Sequence, residues 1–275
     1  MRFAGADVAR YYDANTKSFL ARGQGGSHGA IHRAVWGAGV GSRREAFDFV
    51  HGLLQREMTI IGASKVLDLG CGTGASLAAV VEGSDAVAYG VTNSSVHARL
   101  ARERLGERAT IYERDFCSEP LPRGIDFAFG IESFVHAPDP KAFFENVARS
   151  LRPSGRLALC DDFLAGTKHE RWVRDFQHGW HASSLLKPEH VDAIAAANGL
   201  ELIDDQDFTP LLELDRPRDR VLGAVVALGR PIFSASPRCQ WCLWWRTLSG
   251  GHALRQCLKH GHVRYRYRVW QKGKL

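Results

Sequence analysis

The chain reads as an α/β protein: an open sheet of seven strands, mostly parallel, with helices on both faces. Three observations predict this. Short apolar runs alternate with amphipathic helical stretches over residues 65–203, the pattern of βαβ units. The first run, Val66-Leu67-Asp68-Leu69, meets three glycines at spacing two, Gly70, Gly72 and Gly74, and then an apolar helix over 75–81. With 275 residues and 45% apolar content, the chain is long enough to bury a full core.

Taken in order, residues 7–21 place Val8, Tyr11, Tyr12, Phe19 and Leu20 at helical spacing. A glycine-rich loop over 23–29 follows, then Ile31-His32-Arg33-Ala34-Val35-Trp36 and a bend to Gly41. Ser42 is the expected N-cap of a helix over 43–58, with Ala46, Phe47, Val50, Leu53 and Leu54 on its apolar face. Strands are expected at 65–69, 86–91, 110–112, 125–130, 156–160, 199–203 and 262–270. Between them lie helices from a cap at Asn93 or Ser94 to Leu105, over 140–151 and over 188–198. In the last strand Arg264, Arg266 and Arg268 alternate with Val263, Tyr265, Tyr267 and Val269. Period two with one polar side predicts a half-exposed strand at or near a sheet edge. The tryptophan-rich stretch 215–261 is too long for a simple connection and is expected to cap the substrate side, with 171–180 joining it. The expected organisation is one domain, 1–275: an N-terminal helical lid (1–62), a core sheet (63–210 and 262–275) and a helical cap insertion (211–261).

The formal net charge is +6 and the pI about 9.1. That balance suits a diphosphate ligand, but no block of like charge stands out, so a mildly basic solvated surface is expected and no nucleic-acid partner. The first ten residues lack the form of a signal peptide, and the longest apolar run, 221–228, is far short of a span of roughly 20 residues. A soluble, cytoplasmic protein without a membrane partner is therefore expected. Cys239-x2-Cys242 and Cys257-x2-His260 have zinc-ligand spacing. The interleaved Trp241, Trp244, Trp245, Leu254 and Leu258 favour buried helices in which Cys packs as a small hydrophobe, so no metal is expected there.

The glycine spacing lacks the third glycine of a dinucleotide site, and no Lys-Ser/Thr pair follows as in a phosphate-binding P-loop. VLDLGCGTG instead resembles the first motif of class I S-adenosylmethionine-dependent methyltransferases, and the resemblance extends over about residues 11–162. It implies a Rossmann-like sheet whose last strand is antiparallel, and S-adenosylmethionine as cofactor. Gly70, Cys71, Gly72 and Gly74 would then lie against the methionine part, with Asp68 at its amino end. Thr92 and Asn93 stand where most of this class carry an acid for the ribose hydroxyls. GVTNS resembles a carbon-methylating subgroup that acts on sterols, tocopherols and prenyl diphosphates. By the same resemblance Asp115 would hold the adenine amino group, Phe116 its ring, and Ile131 would line the cofactor site.

Gly130-Ile131-Glu132-Ser133-Phe134-Val135-His136-Ala137-Pro138-Asp139 resembles the segment that in sterol and geranyl diphosphate C-methyltransferases sets a glutamate beside the reacting alkene. The chemistry needs such a group. An alkene that attacks a sulfonium methyl becomes a tertiary carbocation, which an anion or aromatic face stabilises and a base then deprotonates. Glu132 and His136 are the expected catalytic residues. Ile31 to Trp36 resembles a short segment preceding the core in sterol and cyclopropane-type enzymes, with Ala34 in place of its glycine. Tyr12, His32, Trp36, Trp172 and Trp180 are the expected substrate contacts. The implied function is methyl transfer to an alkene carbon of an isoprenoid in secondary metabolism, with Mg2+ if the acceptor is a diphosphate. The alternative is O- or N-methylation of a natural-product small molecule. An N-terminal helix detached from the sheet is the kind of element subunits exchange, which makes a homo-oligomer an open expectation.

Overall fold

The structure, a computed structural model, describes residues 3–22, 29, 31–167, 170–233 and 240–274, with backbone alone for 18, 19, 22, 230–233 and 240–243. Two helices, α1 (Gly5–Arg22) and α2 (Arg43–Ile60), precede the sheet. Then follow β1 (Lys65–Leu69), α3 (Ala75–Val80), β2 (Val87–Thr92), α4 (Ser95–Leu105), β3 (Ala109–Glu113) and β4 (Ile125–Ile131). The chain continues through α5 (Pro140–Ser150), β5 (Leu151–Leu164), α6 (Arg171–Trp180), α7 (Pro188–Ala196) and β6 (Leu200–Asp207). It ends with α8 (Pro217–Phe233), α9 (Gln240–Lys259) and β7 (Val263–Lys272).

Local chemistry explains the helix starts. Ser42 forms a reciprocal capping box with Glu45, Ser94 accepts from the His97 N–H, and Asp139 caps α5 ahead of Pro140. The strand order is β3-β2-β1-β4-β5-β7-β6, with β7 antiparallel to both neighbours. Strand order reverses between β1 and β4, so the crevice for a ligand opens beyond the carboxyl ends of those two strands. One apolar layer, with Phe127, Phe129, Tyr265 and Tyr267, packs against α2, α3 and α9. The other, with Phe134, Phe143, Phe144 and Trp270, packs against α5 and α7.

Two features differ from the sequence expectation. Strand β5 runs well past residue 160, to Leu164, because β7 pairs with it along nearly its whole carboxyl half. And β7 lies one strand in from the edge; β6 is outside it. The arginine side of β7 is half-exposed at Arg264 and Arg266, as the alternation predicts, and covered at Arg268. Arg266 reaches Asp205 at 2.8 Å, and Arg268, only 1% exposed, reaches Asp192 at 2.9 Å and Asp205 at 3.1 Å. The alternation is that of a strand whose partner supplies the carboxylates.

Helices α6 and α9 cross where two glycines meet: a Cβ on Gly179 would lie 2.5 Å from the Gly250 Cα. Only glycine at both positions permits that approach. It packs α6 directly against α9, which joins the first apolar layer. No helix among the described residues is long and apolar enough to cross a membrane. Cys239 and the Cys242 side chain, half of the candidate zinc set, lie outside the described residues, as does the 23–28 loop; Cys257 is buried. Among the described residues no three His, Cys, Asp or Glu side chains assemble into a metal site.

Arg268→Leu removes the cation that two carboxylates share under the sheet edge. It is expected to lower unfolding free energy by about 3 kcal/mol, because burying a charge is tolerable only while it is paired. Equilibrium denaturation in guanidinium chloride measures this, and an unchanged midpoint would show that the bridge is energetically idle.

Candidate active site

The site grows from the loop after β1. Gly70, Gly72 and Gly74 all have positive φ, at 90°, 49° and 77°. The Gly70 and Cys71 N–H groups both donate to the Val91 carbonyl, so the loop folds back over the end of β2. A Cβ on Gly70 would strike Ser133, and one on Gly74 would strike Ala101 and Leu105 of α4. At Gly72 nothing comes closer than 4.0 Å, so that glycine leaves room on the cleft side.

Asp68, at the end of β1, is 2% exposed, and its Oδ2 has no hydrogen-bond partner among the described residues. Burial alone pushes its carboxyl well up. It lines a recess of about 370 Å3 with His32, Gly70, Gly72, Ser76 and Ile131. A buried, unpaired carboxylate beside an open glycine loop fits a cationic amine, which would supply the missing partner.

The recess adjoins a cleft of about 660 Å3 lined by Tyr12, Thr92, Asn93, Asp115, Phe116, Ile131, Glu132 and His136. Helix α1 closes over it. Asn93 Nδ2 donates to the Gly5 carbonyl, Ser94 Oγ donates to Asp13, and Thr16 Oγ1 pairs with His97 Nε2 at 2.8 Å. Asp115 sits under Gly5 and caps the Cys117 N–H, while Phe116 packs edge-on against Phe143.

Glu132 occupies the left-handed region, φ 51°, at the end of β4. Few non-glycine residues do so without a reason in their surroundings. Here the bend sends the side chain to Arg33. Glu132 Oε1 accepts from the Arg33 backbone N–H at 2.8 Å, from Arg33 Nε at 3.0 Å and from the Tyr265 hydroxyl at 3.0 Å. Arg33 also donates twice to Asp162, at 2.9 and 2.8 Å, and lies 4.0 Å over the Tyr265 ring. Burial would raise the Glu132 pKa, but Arg33 and then His32 outweigh it, so the carboxyl sits below its ordinary range and stays ionised. Burial, and next the Asp162 charge, push neighbouring Asp161 up to about 8.

His136 lies across the cleft. Its Nε2 faces the Tyr12 hydroxyl at 2.8 Å and its Nδ1 the His181 carbonyl at 3.4 Å. A carbonyl only accepts, so Nδ1 carries the proton and Nε2 is the acceptor. Burial lowers its pKa to about 4, and the ring is neutral. Arg33 also lines a third space of about 1790 Å3 under the cap, walled by Trp180, Leu214, Leu222, Trp244, Leu248 and Leu254. The Arg33–Glu132 contact thus stands between the cleft and an apolar chamber.

Of the sequence-derived residues, Asp68, Gly70, Cys71, Gly72, Thr92, Asn93, Asp115, Phe116, Ile131, Glu132, His136, Tyr12 and His32 all line the cleft or its recess, and Gly74 shapes the loop behind it. Trp180 lines the chamber, donating Nε1–H to the Thr247 carbonyl. Two residues lie elsewhere. Trp36 packs on the small Ala34–Ala46–Phe47 cluster under Arg43, because its backbone N–H is tied to the Leu211 carbonyl. Trp172 packs edge-on against His252 of α9 and does not itself line the cleft or the chamber. Sequence reasoning missed Arg33, Asp162 and Tyr265. Asp161-Asp162 at the carboxyl end of β5 was a usable signal of the kind read after other strands; nothing local marks Arg33 or Tyr265 as their partners.

Residues 66–155 match a family described as a methyltransferase domain. An O-methyltransferase of Aspergillus nomiae is 27% identical over 191 residues, 66% of this chain and 84% of that protein. A sterol 24-C-methyltransferase of Aspergillus fumigatus is 28% identical over 177 residues, 60% of this chain and 45% of that protein. Among solved structures, the [4+2]-cyclase SpnF superposes with TM-score 0.75 at 21% identity, over 99% of this chain and 97% of that one. Geranyl diphosphate C-methyltransferase from Streptomyces coelicolor gives 0.70 at 16% identity, over 98% and 97%. The structures share the fold. With Asp68 and the open glycine loop placed for an amino end, residues 66–155 form a methyltransferase domain, and the chain resembles the class I S-adenosylmethionine-dependent methyltransferases, the sterol 24-C-methyltransferases among them.

Proposed function

We propose that this enzyme methylates an alkene carbon of an apolar, isoprenoid-like acceptor. The observation that supports the reading is an ionised carboxylate, Glu132, fixed where the cofactor cleft meets an apolar chamber of about 1790 Å3. Bound S-adenosylmethionine supplies an electrophilic methyl group. Asp68 and the glycine loop would hold its amino end, and Thr92, Asn93, Asp115 and Phe116, which line the adjoining cleft, would hold the rest of it. The apolar walls exclude water from a cation formed on the acceptor. Glu132 opposes that charge through space, and Oε2, which no described residue hydrogen-bonds, is free to take the proton. Its depressed pKa is no obstacle, because a proton beside a carbocation is lost even to a weak base. A diphosphate acceptor would bring Mg2+ on its own phosphate oxygens.

A second reading is favoured by His136. A neutral imidazole whose Nε2 is an acceptor, oriented by the His181 carbonyl and the Tyr12 hydroxyl, suits removal of a proton from a hydroxyl acceptor. The relatives called O-methyltransferases agree with it. Methyl-labelled cofactor offered with isopentenyl, geranyl and farnesyl diphosphates, a sterol and several phenols separates the two. Label on carbon supports the first reading, label on oxygen the second.

Glu132→Gln is expected to leave sinefungin affinity within threefold and to cut turnover about 100-fold. Full turnover with normal affinity would remove Glu132 from the chemistry. Asp68→Asn is expected to weaken sinefungin about tenfold or more in calorimetry, the worth of one charge-assisted hydrogen bond. The pH profile follows from the signs. Glu132 is ionised below its ordinary range, and His136 gains a proton only near 4. So kcat/KM should be flat from about pH 6 to 8 and fall toward pH 4, whereas an inflection near 6.5 would mean a solvated His136.

A further inference from the structure

Helix α8 is turned inside out. Val221, Ala224, Val225 and Leu228 recur at i, i+3, i+4 and i+7, and this apolar stripe faces solvent: Val221 is 64% exposed, Val225 41% and Leu228 77%. The side facing the protein carries Asp219, 7% exposed and paired with Arg216, beside Val226. A helix of a soluble protein shows the reverse arrangement. At about 100° per residue, Arg218 and Arg220 border the stripe on its two sides, and both are exposed. Arg220 makes no ion pair within 4.0 Å among the described residues, its charge acting only at longer range on Asp215, and Arg218 has a long contact of 3.8 Å to Asp219. Trp244 of α9, 44% exposed, lines the mouth of the cap chamber with Val221, Leu222 and Arg218.

We propose that the α8 face is a docking surface for an anionic lipid bilayer, on which the cap helix lies flat. An exposed apolar stripe wants cover. Arginines along both margins complement anionic headgroups and let their stems lie along the apolar boundary, and a tryptophan suits the interfacial level. A second copy of this chain fits less well, since a two-fold contact through the stripe sets the same exposed arginines against each other. Exposed Arg218, Val221 and Trp244 of this face also line the chamber, so an apolar acceptor dissolved in the bilayer would enter there without crossing water. That last consequence rests on the proposed acceptor class; the docking does not.

The test reads binding rather than turnover, so the two ideas fail separately. The full chain is sedimented with vesicles of phosphatidylcholine alone or containing about 30% phosphatidylglycerol, in low and high salt. We expect partition into the anionic vesicles about tenfold above the neutral ones, weakened by salt. Val225→Asp with Leu228→Asp, neither of which lines the chamber, should reduce that partition at least about tenfold while sinefungin binding is kept. Should that variant not fold, brominated lipid added to the unaltered protein decides: tryptophan quenching that Trp244→Phe reduces is expected, and no quenching overturns the proposal. Absence of partition, or equal partition by the folded variant, also overturns it. A concentration-dependent dimer abolished by the same two substitutions would give the stripe to a second copy and overturn it too.

Discussion

Arg33 joins the N-terminal segment to two strand ends through one buried guanidinium. Glu132 at the end of β4 and Asp162 near the end of β5 both take their hydrogen bonds from it, and Tyr265 of β7 covers its face. Three carboxylates, Glu132, Asp161 and Asp162, lie close together and out of water at the carboxyl edge of the sheet. Without a cation among them, burial would protonate more than one. With Arg33 in place Glu132 stays ionised, while burial pushes Asp161 up and also holds Asp162 above its ordinary range, Arg33 offsetting only part of that. The charge state of the site, the left-handed backbone at Glu132 and the separation of cleft from chamber all depend on this contact.

The rest of the architecture places that contact where chemistry can use it. The strand order reverses at β1 and β4, which opens a crevice that the glycine loop, α1 and the cap then close from three sides. Helices α6 and α9 meet at Gly179 and Gly250, a crossing any side chain would block. The shared fold alone does not choose the reaction. One of its solved neighbours is called a [4+2]-cyclase and another a C-methyltransferase. What distinguishes chemistries on one scaffold is the set of side chains above the sheet.

Legibility followed the range of the interactions. The first strand, the glycine turn, the serine caps and the amphipathic helices arise from neighbours within a few residues, and they stand where the pattern places them. Many of the cleft residues were legible too, because they lie at or just after the carboxyl end of a parallel strand, whereas Tyr12 and His32 come from the segment before the sheet. The surroundings of β7 were not. Alternating arginines look the same in an exposed strand and in one paired to a carboxylate-bearing neighbour, and only the β6 register separates them. Trp36 and Trp172 failed for a related reason: an aromatic near a cleft in sequence can turn to either side of its element.

The sequence by itself determined the βαβ order, the cofactor loop and the candidates Asp68, Glu132 and His136, because periodicity and glycine torsions are local properties that survive without tertiary context. Tertiary structure alone decided what those groups can do. Glu132 is an anion because Arg33, 99 residues away in the chain, reaches it at 2.8 Å, and His136 is neutral because burial withholds the water that would charge it. Ionisation answers to the field and solvation at one point in space, and those are set by segments the chain brings together only on folding.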